Sequence, residues 1–234
     1  MKMISIEEKK IWRLLLHAIH DLRTSLHSVG GFAYLIKEDG RQPSLSEEER
    51  LDVLCRLEQS YEQLQKEVNR LTDIAYYSTV DQLPRTDKVL VNELCRDIAG
   101  GREVEVLYGS DIPDYYAIST NRAALGRVLE ILLLHACERT ASCKDDGREL
   151  YVFLNVTERG EKGSLTFSVS DMGELPTLEE NLKYFNPPTD ADNRKVSTST
   201  EIYYYQLLVR LLGGFIYIDP DYKNGRRVIF SIAI

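Results

Sequence analysis

The sequence is poor in several things, and each shortage closes off a class of function. Basic charge is scarce: 29 Lys and Arg stand against 37 Asp and Glu, a net charge of -8. Phosphate backbones are held by clustered Lys and Arg, so no nucleic-acid-binding surface is expected. Cysteine is sparse as well. Cys55, Cys95, Cys137 and Cys143 show no CxxC spacing, which argues against a zinc knuckle or a redox pair and fits a reducing, cytoplasmic setting. Long apolar runs are missing: the burst IWRLLL is interrupted at Arg13 and closed by His17, too short for a signal-peptide core or a bilayer span. Direct membrane insertion is therefore not expected. Internal repeats and low-complexity tracts are lacking too. What remains is a 234-residue chain with 43% apolar residues, enough for one large domain or two small ones.

The first third is patterned for helices. From Ile11, the apolar positions Leu15, Ile19, Leu22, Leu26, Val29, Ala33 and Ile36 follow at intervals of four, four, three, four, three, four and three, the mark of a helical packing seam. EDGRQPSLSEEE reads as a loop, and Ser46 with Glu49 has the spacing of a capping box that opens a second helix. There Leu54, Leu57, Tyr61, Leu64, Val68, Leu71 and Ala75 keep a coiled-coil-like register. Two helices with a short loop make an antiparallel hairpin. A lone hairpin covers only part of such stripes, so a homodimer forming a four-helix bundle is expected, the alternative being packing on the rest of the same chain.

Residues 1–80 are thus expected to form a helical domain, and residues 88–234 an α/β domain beyond the linker at 80–88. Strand candidates in the second part are EVEVLYG, YYAIS, ELYVFLNVTE, SLTFSVSD, GFIYID and RRVIFSIAI; helix candidates are VNELCRDI, NRAALGRVLEILLLHACERT and STEIYYYQLLVRLLGG, the last stopped by Gly213 and Gly214. The fold class is α+β: a helical hairpin followed by a two-layer α/β sandwich with one mixed sheet covered on one face.

The string HDLRTSL, from His20 to Leu26 on a hairpin helix, resembles the H-box of sensor histidine kinases. The α/β region, in the expected order, resembles their ATP-binding domain of gyrase, Hsp90 and MutL type. The resemblance implies roles position by position. His20 matches the phosphoacceptor, whose neutral imidazole is nucleophilic near neutral pH. Asp21 matches an acidic neighbour that accepts a hydrogen bond from the ring and leaves the opposite nitrogen free to attack. Thr24, on the same face, matches the position that places a water for dephosphorylating a partner, and Arg23 screens phosphoryl charge. Ser25 replaces the usual proline, so a straighter helix is expected. Receiver docking would use the surface beyond His20, around His27, Gly30, Gly31 and Tyr34. His17, His20 and His27 share a helical sector, but no further ligand with suitable spacing appears, so no metal site is expected.

The boxes for nucleotide fare differently. His135 stands where the family has a magnesium-binding asparagine, and Ile131 is one turn earlier; magnesium prefers oxygen ligands. In SDMGELP, Asp171 and Gly173 match the adenine-reading acid and its glycine, although an acid before a glycine turn also has a purely structural use. Phe185 resembles the following aromatic box. The final box should be a glycine run whose amides approach the triphosphate, but it reads STSTE, placing Ser197, Ser199 and Glu201 at the glycine positions. The expectation is a kinase-derived histidine phosphotransfer protein that shuttles phosphoryl groups between response-regulator receiver domains. No cofactor is expected, Mg-ATP being required only on the alternative of a kinase with an atypical site. A further alternative is a pseudokinase that regulates a partner by binding.

Overall fold

The computed structural model describes residues 6–42, 44–143, 151–159, 163–185 and 196–234. They form thirteen elements in the order α1 (Ile6–Arg41), α2 (Glu47–Tyr77), β1 (Asp87–Leu90), α3 (Val91–Ala99), β2 (Glu105–Ser110), β3 (Ala117–Thr120), α4 (Arg122–Ala141), β4 (Tyr151–Arg159), β5 (Ser164–Ser170), α5 (Leu178–Tyr184), α6 (Val196–Leu211), β6 (Phe215–Ile218) and β7 (Arg227–Ala233). This is the expected α+β class. The chain divides into two compact units, one holding α1, α2 and the start of α6 through Glu201, the other holding Tyr77–Phe185 and Ile202–Ile234.

In the first unit, the hairpin turn is built around Asp39. Its carboxylate accepts from the backbone N–H groups of Ser44 and Leu45 at 2.8 Å each and from Arg50 Nη2 at 2.6 Å. These bonds explain why α1 runs on through Asp39 and Gly40, where the sequence suggested a loop: the acid near the end of one helix serves the turn into the next. Ser46 and Glu49 do form the capping box, with Ser46 N–H donating to Glu49 Oε2 at 2.8 Å and Glu49 N–H to Ser46 Oγ at 3.3 Å.

The seams separate into two heptad sets. Leu15, Leu22, Val29 and Ile36 on α1, and Leu57, Leu64 and Leu71 on α2, are half-buried at intervals of seven; Ile19, Leu26 and Ala33, and Leu54, Tyr61, Val68 and Ala75, also seven apart, are exposed. One set is turned into the hairpin, and the other is left on its surface.

In the second unit, a five-stranded sheet has the order β2-β4-β5-β7-β6, with β2 and β4 parallel and the other pairs antiparallel. Alternate residues Val152, Leu154 and Val156, Leu165, Phe167 and Val169, and Val228, Phe230 and Ile232 are buried. Phe167 and Phe230, direct register partners, stack with ring centroids 4.7 Å apart. Over this inner face α4 buries Leu125, Leu129 and Leu133, while α6 buries Tyr205, Leu208 and Leu211.

Two elements departed from expectation. β1 forms a separate two-stranded sheet with β3. α5 is a short helix opened by Thr177, whose N–H donates to Glu180 Oε2 at 2.7 Å. The glycine stop of α6 is present: Gly213 has φ +77° and Gly214 N–H donates to the Val209 carbonyl at 2.9 Å, closing the helix in the left-handed manner.

Candidate functional site

His20 lies in the middle of α1 with its side chain 74% exposed, because the helical step that turns Ala18 inward carries residue 20 to the outside. Its Nδ1 is 3.6 Å from Asp21 Oδ1, an ion-pair separation longer than a hydrogen bond. Thr24 is exposed on the same face and donates from Oγ1 to the His20 carbonyl at 3.1 Å; Ser28 repeats this bond to the Thr24 carbonyl at 3.2 Å. The Thr24 hydroxyl must rotate off that carbonyl before it can hold a water. Arg23 is exposed. Further along, His27, Gly30, Gly31 and Tyr34 are all exposed, and the helix passes through the glycine pair unbroken. A Cβ at Gly30 or Gly31 would meet nothing within 4 Å, so neither glycine is required by the hairpin's own packing. His20, Thr24, His27, Gly31 and Tyr34 follow at steps of four and three, one continuous strip of helix. The side chain of His17 lies outside the described residues. Among the described residues, no group of three or more His, Cys, Asp and Glu is arranged to hold a metal.

The second unit holds Asp171, Gly173, Phe185, His135 and Ile131. Asp171 is almost fully buried at the end of β5. Its Oδ1 accepts from the N–H groups of Gly173 and Arg226 at 3.0 Å each, and its Oδ2 accepts from Arg139 Nε at 2.9 Å. Gly173 is needed because α4 passes close by: a Cβ there would lie 2.9 Å from the Arg139 carbonyl. Arg139 also donates to the Glu174 carbonyl at 2.5 Å. Arg226 stacks over the Tyr184 ring at 4.4 Å, and burial, then the neighbouring Arg139, lowers its affinity for its proton. Aromatic rings continue the cluster. Tyr184 meets Phe185 at 5.0 Å, Phe185 meets Tyr205 at 6.5 Å, and Tyr205 meets His135 at 6.4 Å, all edge-on. The structure therefore brings Asp171, Gly173, Phe185 and His135 into one neighbourhood and fills it with the chain's own arginines and rings. Ile131 is buried on α4.

The STSTE segment opens α6, as the family's glycine box opens a helix. The side chains of Ser197 and Ser199 lie outside the described residues. Glu201 forms an ion pair with Arg70 of α2, and Arg70 Nη1 also donates to Thr200 Oγ1 at 3.3 Å, all within the first unit. Arg70 and Arg139 were not singled out from the sequence. Arg139 left a trace, standing one helical turn beyond His135; Arg70 left none, because its partner is 131 residues away.

No protein-family model matches the chain. A sensor histidine kinase of Bacillus subtilis, YcbM, is 30% identical over 187 residues, which is 74% of this chain and 58% of that protein. The chain thus spans somewhat more than half the length of this relative. Among solved structures, the histidine kinase AdeS of Acinetobacter baumannii superposes with a TM-score of 0.64 over 91% of this chain and 95% of that one, at 15% identity. Full-length ShkA, crystallised with AMPPNP, gives 0.62 over 95% of this chain and 45% of that one, at 18% identity. The kinase ThkA, in complex with the response regulator TrrA, gives 0.63 over 92% of this chain and 59% of that one, at 20% identity. In sequence the chain is similar to a sensor histidine kinase, and in fold to histidine kinases, with a helical hairpin followed by an ATPase-like domain as in those structures. Among the described residues, no helix is long and apolar enough to cross a membrane.

Proposed function

We propose that the protein is a histidine phosphotransfer protein of a phosphorelay, in which His20 takes a phosphoryl group from an aspartyl phosphate on one receiver domain and passes it to an aspartate on another. The imidazole nitrogen remote from Asp21 attacks phosphorus; the P–N bond forms as the P–O bond breaks, and the receiver's carboxylate leaves. Asp21 stabilises the positive charge that develops on the ring, and Arg23 lies exposed beside the incoming phosphoryl group. The return step reverses these bonds. Exposure of His20 suits a reaction in which the donor arrives on another protein. The structural neighbour ThkA has been crystallised in complex with the response regulator TrrA, which supports receivers as the partner class.

The observation that carries the phosphotransfer reading, as against autokinase activity, is the engagement of Asp171. Its carboxylate already accepts from Arg139 and from two backbone N–H groups, so an adenine amine would have to share Oδ2 with a buried ion pair. Mg-ATP does not fit the neighbouring residues either. The side chains of His135 and Ile131 offer no oxygen to magnesium, and in the sequence Glu201 stands where the resemblance implies a glycine. Dimerisation through the exposed heptad set would complete a four-helix bundle, with one exposed His20 side chain on each hairpin.

The kinase reading has one observation in its favour, the 30% identity to a sensor histidine kinase. Incubation with radiolabelled Mg-ATP alone separates the two. The phosphotransfer reading expects no labelling from ATP and acid-labile labelling of His20 from a phosphorylated cognate receiver. ATP-dependent labelling would establish the kinase, and binding of a receiver without labelling would leave a regulatory pseudokinase.

A further inference from the structure

We propose that Glu67 is a positioning residue for the His20–Asp21 pair, acting through a single water that it shares with Asp21 and Thr200. The inference rests on the assignment of His20 as phosphoacceptor and adds to it a group from the other helix of the hairpin.

Asp21 follows His20 in sequence but lies 100° further round the helix, so it reaches both the exposed ring and the inner side of the hairpin. On that inner side Ala18 and Asp21 of α1, Glu67 and Leu71 of α2, and Thr200 at the start of α6 line a cavity of about 10 Å³. This is room for one water. Glu67 is only 8% exposed. Its Oε1 accepts from Gln63 Nε2 at 2.8 Å, but its Oε2, buried, has no hydrogen-bond partner among the described residues. A buried carboxylate oxygen is not left without a donor when a polar cavity beside it can hold one. Direct contact between Glu67 and Asp21 would oppose two acceptors. A water instead offers one hydrogen to each, with the Thr200 hydroxyl as its third polar neighbour. Thr200 is itself fixed, since it is buried and Arg70 donates to its oxygen while pairing with Glu201.

The consequence falls on the ring. At 3.6 Å, Asp21 is just beyond hydrogen-bond range of His20 Nδ1, so a small movement of the carboxylate decides whether that bond forms. A carboxylate tethered from behind by water keeps its free oxygen on Nδ1–H. That selects the tautomer whose Nε2 lone pair is available for attack. Glu201 then gains a use unrelated to nucleotide: it holds the Arg70–Thr200 wall of the water site.

Nitrogen-15 NMR of the His20 ring in the 234-residue protein tests this without any receiver. The unmodified protein is expected to favour the Nδ1–H tautomer, and Asp21→Asn to reverse the preference. Glu67→Met, which keeps bulk but cannot hold the water, should shift the tautomer ratio toward Nε2–H by about fivefold, as for loss of one hydrogen bond. Glu67→Gln, which can still bond a water, should restore most of it, and Thr200→Val should shift it in the same direction as Glu67→Met. If Asp21→Asn changes the tautomer and neither Glu67→Met nor Thr200→Val does, Glu67 has no positioning role. A crystal structure with the cavity empty, or filled by a metal ion, would also overturn the proposal. Failure of every receiver to label His20 would leave these spectra standing and count only against the phosphotransfer reading.

Discussion

Arg139 Nε donates to Asp171 Oδ2 at 2.9 Å, joining α4 to the end of β5 at the acid that the sequence resemblance matches to an adenine reader. The carboxylate is 4% exposed and the guanidinium 28%. Removing the arginine leaves a buried charge whose remaining donors are backbone amides. Arg139→Met should therefore destabilise the α/β unit by about 3 kcal/mol. Urea unfolding followed by circular dichroism measures it, and a loss below about 1 kcal/mol would show the pair to be peripheral. Calorimetry with Mg-ATP should show no low-micromolar binding before or after the change, since Glu201, Ile131 and His135 remain.

The exposed heptad set predicts the oligomeric state. Light scattering should report twice the 26.9 kDa chain mass. Leu26 is 59% exposed in the single chain, so Leu26→Glu should leave each hairpin folded while placing a charge in the seam between hairpins. A monomeric mass for that variant, with helicity retained, is the expected result. A monomer in the unmodified protein would instead remove the bundle from the proposal.

Asp39 gives the hairpin a pH dependence with a definite sign. The backbone N–H groups of Leu45 and Ser44, then Arg50, bring its pKa down from 3.8 to about 2. A carboxylate whose folded-state pKa is depressed contributes stability that is present above its unfolded pKa and lost as pH falls through the folded value. The difference in melting temperature between the protein and Asp39→Asn should be constant above pH 5 and shrink as pH falls from about 4 to about 2. A difference unchanged across that window would show that the turn does not depend on the charge.

The legible parts of the fold were those whose signal is local. Strands β4, β5 and β7 alternate buried residues with more accessible ones over most of their length, and α4 is capped by Asn121, whose side chain accepts from Ala124 N–H at 2.9 Å. β1 was missed because DKVL is too short to show alternation and pairs only with β3. α5 carried a readable cue in Thr177 and Glu180, hidden by its length of seven residues. At the site, HDLRT could be read because its residues are consecutive on one helix. The partners that give Asp171, Glu201 and Asp21 their surroundings could not. Arg139 lies 32 residues from Asp171 and Arg70 lies 131 from Glu201, and only the folded chain brings such pairs together.

His135 supplies the sharpest separation between a damaged kinase and a phosphotransfer protein. If the ATP site were lost only through this residue, His135→Asn would restore the family's magnesium ligand and ATP-dependent labelling of His20 with it. Three other obstacles persist in that variant: the Arg139–Asp171 pair, the rings of Tyr205 and Phe185, and Glu201 at a sequence position where the resemblance implies a glycine. His135→Asn should therefore stay unlabelled by ATP. It should accept phosphoryl groups from a phosphorylated receiver at a rate close to that of the unmodified protein, because a transfer that needs His20 and a docked receiver makes no use of α4. His20→Ala should abolish labelling from every source. Gel autoradiography of the three proteins, with acid lability as the check for phosphohistidine, reads all of these outcomes together. ATP labelling of His135→Asn would mean that a single substitution separates this chain from a working kinase.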